Sequence, residues 1–177
     1  MNPRETMRVA FQNSKLCHDA QPALFLVGNS AWEIGLRPNP AIDPLSPGTP
    51  EEFHEKLRAA PLSMTIAQWL TDSTRIAGID AFYLSEILLV ARIHPYALAC
   101  SLNEQLSDDL RDACYNVMKQ CISHGGRGDF RGPLYKDPGT AEIVFTAVPG
   151  YPCPHDPAHT ITRTSEGIAV CPVCQRV

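Results

Sequence analysis

The carboxy-terminal stretch constrains the fold more than any other part of the chain. It reads Cys153-Pro154-His155-Asp156-Pro157-Ala158-His159, runs through ITRTSEGIAV at 161–170, and closes on Cys171-Pro172-Val173-Cys174. Thiolates and imidazoles at this spacing can converge if the chain folds back on itself, and four of them meet the tetrahedral demand of zinc. Cys171 and Cys174 form one C-x2-C knuckle, and a turn near Ser165-Glu166-Gly167 would bring a second knuckle over it as a β-hairpin. The first knuckle is less regular. Three residues after Cys153 stands Asp156, an uncommon structural zinc ligand, so the fourth bond falls to His155 or His159. His159 is preferred, because the five residues between it and Cys153 give the loop room to aim an imidazole back. The expected ligands of one structural Zn2+ are therefore Cys153, His159, Cys171 and Cys174.

The remaining cysteines need no such role. Seven is an odd number, and residues 1–10 carry Arg4, Glu5 and Arg8 without the apolar run of an export signal. Reduced thiols and a cytoplasmic setting are expected, with Cys17, Cys100, Cys114 and Cys121 as small packed side chains. The longest apolar stretch, 81–99, is interrupted by Glu86, Arg92 and His94, so it reads as a buried helix and not as a membrane span.

With 177 residues, 44% hydrophobic and 19% charged, the chain is long enough for one core and a small appendage. Its 16 prolines cluster at 38–50 and 132–157 and mark the joints. Three parts are expected: a β-hairpin and linker over 1–48, a helical domain over 49–126, and a loop with the zinc hairpin over 127–177. The apolar runs at 23–27 and 31–36, around Gly28-Asn29-Ser30, form the first hairpin. Thr49, Pro50, Glu51 and Glu52 supply a cap, a first-turn proline and acids for a helix over 50–60, with Phe53, Leu57 and Ala60 inward. A second helix begins near Ser63 or Met64 and carries Ile66, Trp69 and Leu70. A third covers 81–91, its Phe82, Ile87, Leu88 and Val90 central to the core, and stops before His94-Pro95. The fourth starts at Asn103 and ends at His124-Gly125-Gly126. On it Leu106, Leu110, Ala113, Cys114, Val117, Met118, Cys121 and Ile122 recur at helical spacing. Residues 125–140 read as a loop and 142–148 as a strand. The class is mainly α with small β.

Two stretches carry a resemblance. Ala77-Gly78-Ile79-Asp80-Ala81-Phe82-Tyr83-Leu84-Ser85-Glu86-Ile87-Leu88, followed by Ala91-Arg92-Ile93-His94-Pro95 and Ser101-Leu102, resembles the helix-two-turn-helix signature of the formamidopyrimidine-DNA glycosylase and endonuclease VIII family. Gly125-Gly126, Gly150-Tyr151-Pro152-Cys153 and Cys171-Pro172-Val173-Cys174-Gln175 are similar to that family's loop and terminal zinc finger. Ile34-Gly35-Leu36-Arg37-Pro38-Asn39-Pro40 is similar to its linker, so the resemblance covers about 33–177.

The resemblance implies that helices and zinc hairpin grip DNA, while chemistry belongs to an amino-terminal β-sandwich whose nucleophile is a terminal proline beside a glutamate. Here Pro3 lies within the chain and its nitrogen is an amide. The roughly 36 residues before the linker suffice for one hairpin and not for a two-sheet sandwich. The expectation is a DNA-binding, repair-related zinc protein without catalysis of its own. The alternatives are an active glycosylase and lyase using another amine, such as Lys15, or a partner chain, and a protein scaffold or binder of structured RNA.

Several positions depart from the implied DNA grip. Ala81 replaces an asparagine and Ala67 a lysine, and Asp80 replaces a glycine and puts negative charge at a helix start. Candidate nucleic-acid contacts are Arg127, Arg131, Lys136 and Arg163, and Arg176 could line the same face. Asp129, Asp137, Glu142, Asp156 and Glu166 offset them, and the net charge of −4 points to weak or conditional binding. The surface that a sandwich would cover is a candidate site for a protein partner; a membrane is not expected.

Overall fold

Thr49 begins the helical body as its residues dictate. Its hydroxyl accepts the Glu52 amide at 3.2 Å, and the Glu52 carboxylate accepts the Thr49 amide at 3.2 Å, closing a reciprocal cap over the first turn. The computed structural model describes residues 20–27, 31–38, 41–125, 140 and 145–175. Within them an antiparallel hairpin, β1 (Ala20–Val27) and β2 (Ala31–Pro38), precedes the helices. Helix α1 spans Pro50–Arg58, α2 Ile66–Thr71, α3 Ala81–Val90 and α4 Glu104–Ser123, with a 3-10 turn at Ala99–Ser101.

Helix α2 starts later than the expected Ser63 or Met64, and the reason is long-range pairing. The Ala99 amide donates to the Met64 carbonyl at 3.0 Å, the Ile66 amide to the Ala97 carbonyl at 2.8 Å, and Thr65 bridges Leu98. Residues 64–65 are thus extended, and Thr65 instead caps the helix by accepting the Gln68 amide.

Helix α3 is central. Leu84, Ile87, Leu88 and Leu89 are buried, and Phe53, Leu57, Ile66, Trp69, Leu70 and Leu110 complete the core with it. Phe53 meets Trp69 edge to face with ring centres 5.6 Å apart. Two expected core residues face out: Val90 is 43% and Ile122 59% exposed. Helix α3 ends at Val90 with Ala91 as its C-cap, after which Arg92 adopts the left-handed conformation at φ 57° and the Ile93 amide returns to the Leu88 carbonyl. That is the closing geometry usually given to glycine. Helix α4 lays Ser107, Leu110, Ala113, Cys114, Val117 and Cys121 inward.

Residues 127–139, most of the expected loop, lie outside the described residues, as do 142–144. Phe145 to Val148 are not in a strand. Beyond them come β3 (Pro152–Cys153) paired with β4 (Asp156–Thr160), and β5 (Thr162–Arg163) paired with β6 (Ala169–Val170), both antiparallel. Among the described residues no helix is long and apolar enough to cross a membrane.

Candidate metal centre and nucleic-acid face

The two short hairpins bring three thiols together. The sulfurs of Cys153, Cys171 and Cys174 all lie within 4.8 Å of one another, and Cys153 Sγ is 3.8 Å from Cys174 Sγ. Thiolates on adjacent vertices of a tetrahedral zinc site, with bonds near 2.3 Å, are ~3.8 Å apart. The Cys174 amide points at Cys171 Sγ at 3.4 Å. Burial works against a Cys171 thiolate, but hydrogen bonds from the Cys174 and Val173 amides and the neighbouring thiols outweigh it and hold the group below the ordinary thiol range. Burial and the adjacent Cys171 and Cys153 sulfurs push the Cys174 thiol up to about 12. Three crowded sulfurs cannot all carry charge without a cation among them.

The two histidines of the first knuckle part ways. His159 Nδ1 lies 3.3 Å from Cys174 Sγ. His155 faces the helical body: Nδ1 accepts the Arg92 Nε hydrogen at 3.2 Å, so Nε2 carries the ring hydrogen and donates it to the Leu89 carbonyl at 2.7 Å. Cys153, Cys171 and Cys174 therefore form a cluster whose chemistry suits zinc, and His159 stands beside it against Cys174. Cys114, by contrast, is buried in the body, and burial pushes its thiol up to about 12, as befits an inert core residue. Cys121 is likewise buried, Cys100 half-buried, and Cys17 lies outside the described residues.

Two buried polar side chains tie the cysteine module to the body. Gln175, 1% exposed, accepts the Cys171 amide at 2.8 Å and donates to the Ile93 carbonyl at 2.8 Å. Glu86, 4% exposed, accepts the Thr146 and Ala147 amides at 2.8 and 2.7 Å and the Thr146 hydroxyl at 3.0 Å. Ser85 accepts the Ala169 amide, and Tyr96 meets Ser165 at 3.2 Å. The sequence marks Glu86 as a break in an apolar stretch and both Glu86 and Gln175 as motif residues, but gives a partner to neither. A carboxylate inside an otherwise apolar helix was the available sign that a partner must exist.

Of the candidate nucleic-acid contacts, Arg163 lies exposed on β5, where Nη1 donates to the Gly167 carbonyl at 2.7 Å. Arg127, Arg131 and Lys136 lie outside the described residues, as does Arg176. At the start of α3, Asp80 Oδ1 accepts the Phe82 amide at 2.9 Å and the Tyr83 amide at 3.4 Å, so the chain's own carboxylate occupies a helix end that would attract phosphate. Ala81 is exposed there, whereas Ala67 is buried in α2. A groove of about 440 Å³ between α1 and α4 carries Glu51, Glu55, Glu104 and Asp108 against Arg58 and His54, a balance that repels a nucleic-acid backbone.

The sequence profile of the formamidopyrimidine-DNA glycosylase H2TH domain matches residues 38–130, more than half of the chain. The chain belongs to the formamidopyrimidine-DNA glycosylase family. The formamidopyrimidine-DNA glycosylase of Roseiflexus sp. (strain RS-1) is 36% identical over 142 residues, covering 76% of this chain and 50% of the relative. That of Herpetosiphon aurantiacus is 29% identical over 154 residues, covering 84% and 54%. The chain thus spans about half the length of these curated relatives. Among solved structures, wild-type Lactococcus lactis Fpg in complex with an N7-benzyl-Fapy-dG containing DNA is similar with a TM-score of 0.65 at 25% identity, over 77% of this chain and 51% of that one. Lactococcus lactis Fpg in complex with an abasic site containing DNA gives 0.67 at 24% identity, over 77% and 52%, a likeness of fold. The matched H2TH span runs from the end of β2 past α4, so the family's helical domain is the α1–α4 body and the cysteine module lies beyond it.

Proposed function

We propose that this chain is a DNA-binding, repair-related member of the family, in which the helical body and a zinc-clipped hairpin together hold a nucleic-acid backbone. The observation that carries the reading is the docking of the cysteine module onto the H2TH body through Glu86 and Gln175, in a fold similar to that of a DNA-bound relative. One structural zinc ion is held by Cys153, Cys171, Cys174 and His159. When bound, it cross-links two knuckles too small to bury a core of their own.

Binding is weak or conditional. Phosphate contacts need positive charge, and the chain carries −4 overall. Asp80 places a carboxylate where a phosphate would gain from the α3 dipole. Arg163, Arg127, Arg131 and Lys136 are the cations that offset this. Binding is the role proposed for this chain, and borohydride trapping tests whether base excision accompanies it.

Fluorescence anisotropy on the zinc-loaded protein, using a duplex with an abasic-site analogue and an undamaged control, tests the reading. Affinity should fall steeply as salt rises, with a slope of about −0.9 per neutralised phosphate. Indifference to both duplexes at the lowest salt sinks it. Borohydride reduction with abasic DNA should trap no covalent adduct; a trapped adduct overturns the non-catalytic assignment.

A further inference from the structure

In a second C-x2-C knuckle the residue three after Cys153 would be a thiolate, and here it is Asp156. The carboxylate is engaged elsewhere. Its Oδ1 accepts the Ala158 amide at 3.0 Å, which fixes the side chain in a tight local turn. Its Oδ2 lies 3.5 Å from His159 Nε2, while the other nitrogen of the same ring, Nδ1, lies 3.3 Å from Cys174 Sγ. One imidazole thus stands between a carboxylate and the thiol cluster.

We infer that Asp156 is a positioning residue, which holds the Nε2 hydrogen of His159 and so presents Nδ1 as the fourth donor of a Cys3His metal centre. The inference rests on the reading that this site takes zinc. A neutral imidazole has one hydrogen and one free lone pair, and only the nitrogen without the hydrogen can bind metal. A carboxylate at the far nitrogen selects the tautomer, fixes the ring plane and raises the basicity of the donor. His155 cannot take this place without leaving Leu89 and Arg92, which engage both of its nitrogens. Replacing a thiolate with an imidazole also leaves the centre less negative, which suits a hairpin meant to lie against phosphate.

The full chain should be reconstituted with zinc and, separately, with cobalt. In the zinc form, nitrogen-15 spectra of His159 should show Nδ1 bound to metal and a hydrogen on Nε2. Asp156→Ala should lower zinc affinity about 10- to 100-fold, while the cobalt form keeps the charge-transfer intensity of three thiolates and the ligand-field bands of the parent. His159→Ala should weaken binding further and change those bands. Asp156→Asn, which matches Asp in size and keeps an accepting oxygen but not the charge, should recover only part of the loss, whereas a mere packing role predicts full recovery. The inference is overturned if Nε2 carries the metal, if Asp156→Ala alters the cobalt bands as loss of a ligand does, or if it leaves zinc affinity unchanged. Failure of the parent chain to take up zinc would instead overturn the reading beneath it.

Discussion

The helical body and the cysteine module are stabilised in opposite ways. In the body, Trp69, Phe53, Leu57, Ile66, Leu70, Ile87, Leu88 and Leu110 are fully buried, and burying a side chain of that kind contributes about 1.5–3 kcal/mol. The module has strands of two to five residues. Its apolar cluster is Cys153, Ile161, Ala169 and Cys171, with Leu89 lent by α3. Ile161 is the one large apolar side chain the module itself adds to that cluster. Such a cluster cannot offset the conformational entropy of some 25 ordered residues, at about 1–2 kcal/mol for each backbone. The body has a large core of its own; the module leans on the body, and a metal cross-link would supply what its small cluster lacks.

The largest effect that tests this contrast is metal removal. Structural zinc supplies about 10–16 kcal/mol of apparent folding free energy in small finger peptides. Chelation should therefore expose 150–175 to protease while α1–α4 stay protected and the helical circular dichroism changes little. Simultaneous loss of both regions would show that the body depends on the module, and the contrast would break.

Next in size is the tether. Gln175→Leu removes both partners of a buried pair of backbone groups, the Cys171 amide and the Ile93 carbonyl. Each orphaned group costs about 1–3 kcal/mol. The loss should appear as faster hydrogen exchange in 150–175 with a smaller change in the melting of the body. Equal destabilisation of α2 and α4 would mean that the docking is part of the core.

The same division separates what could be read from the sequence from what could not. Local chemistry was legible: Thr49 and Asn103 cap the helices they were expected to cap, and the spacing of Cys153, Cys171 and Cys174 announced their cluster. Long-range polar bonds were not. Glu86 finds Thr146 and Gln175 finds Ile93 across 60 and 82 residues, and no periodicity encodes such a pairing. The strand expected at 142–148 has an apolar pattern, but the Thr146 and Ala147 amides go to a carboxylate and not to a neighbouring strand. Val90 and Ile122 fit their helical pattern yet point outward, because hydrophobicity alone does not say which side of a helix lacks a neighbour. Asp156 read only as a poor ligand, since its 3.5 Å approach to His159 is a matter of geometry.

The smallest effect asks which region a phosphate approaches. Asp80 is exposed, and its carboxylate caps α3 while adding negative charge at the dipole's positive end. Asn is an equally good cap, so Asp80→Asn keeps the hydrogen bonds and removes the charge. Stability should fall by no more than about 0.3–1 kcal/mol, the usual worth of an acid at a helix start. DNA affinity at low salt should rise several-fold, because a phosphate near α3 then meets the dipole without a like charge in front of it. Anisotropy titrations of the two proteins, run beside their thermal melts, separate the outcomes. A gain in affinity places the backbone against the body. If affinity is unchanged while the melt shifts as expected, the α3 end lies outside the phosphate path, and the cations of the hairpin and the preceding segment carry the contact by themselves.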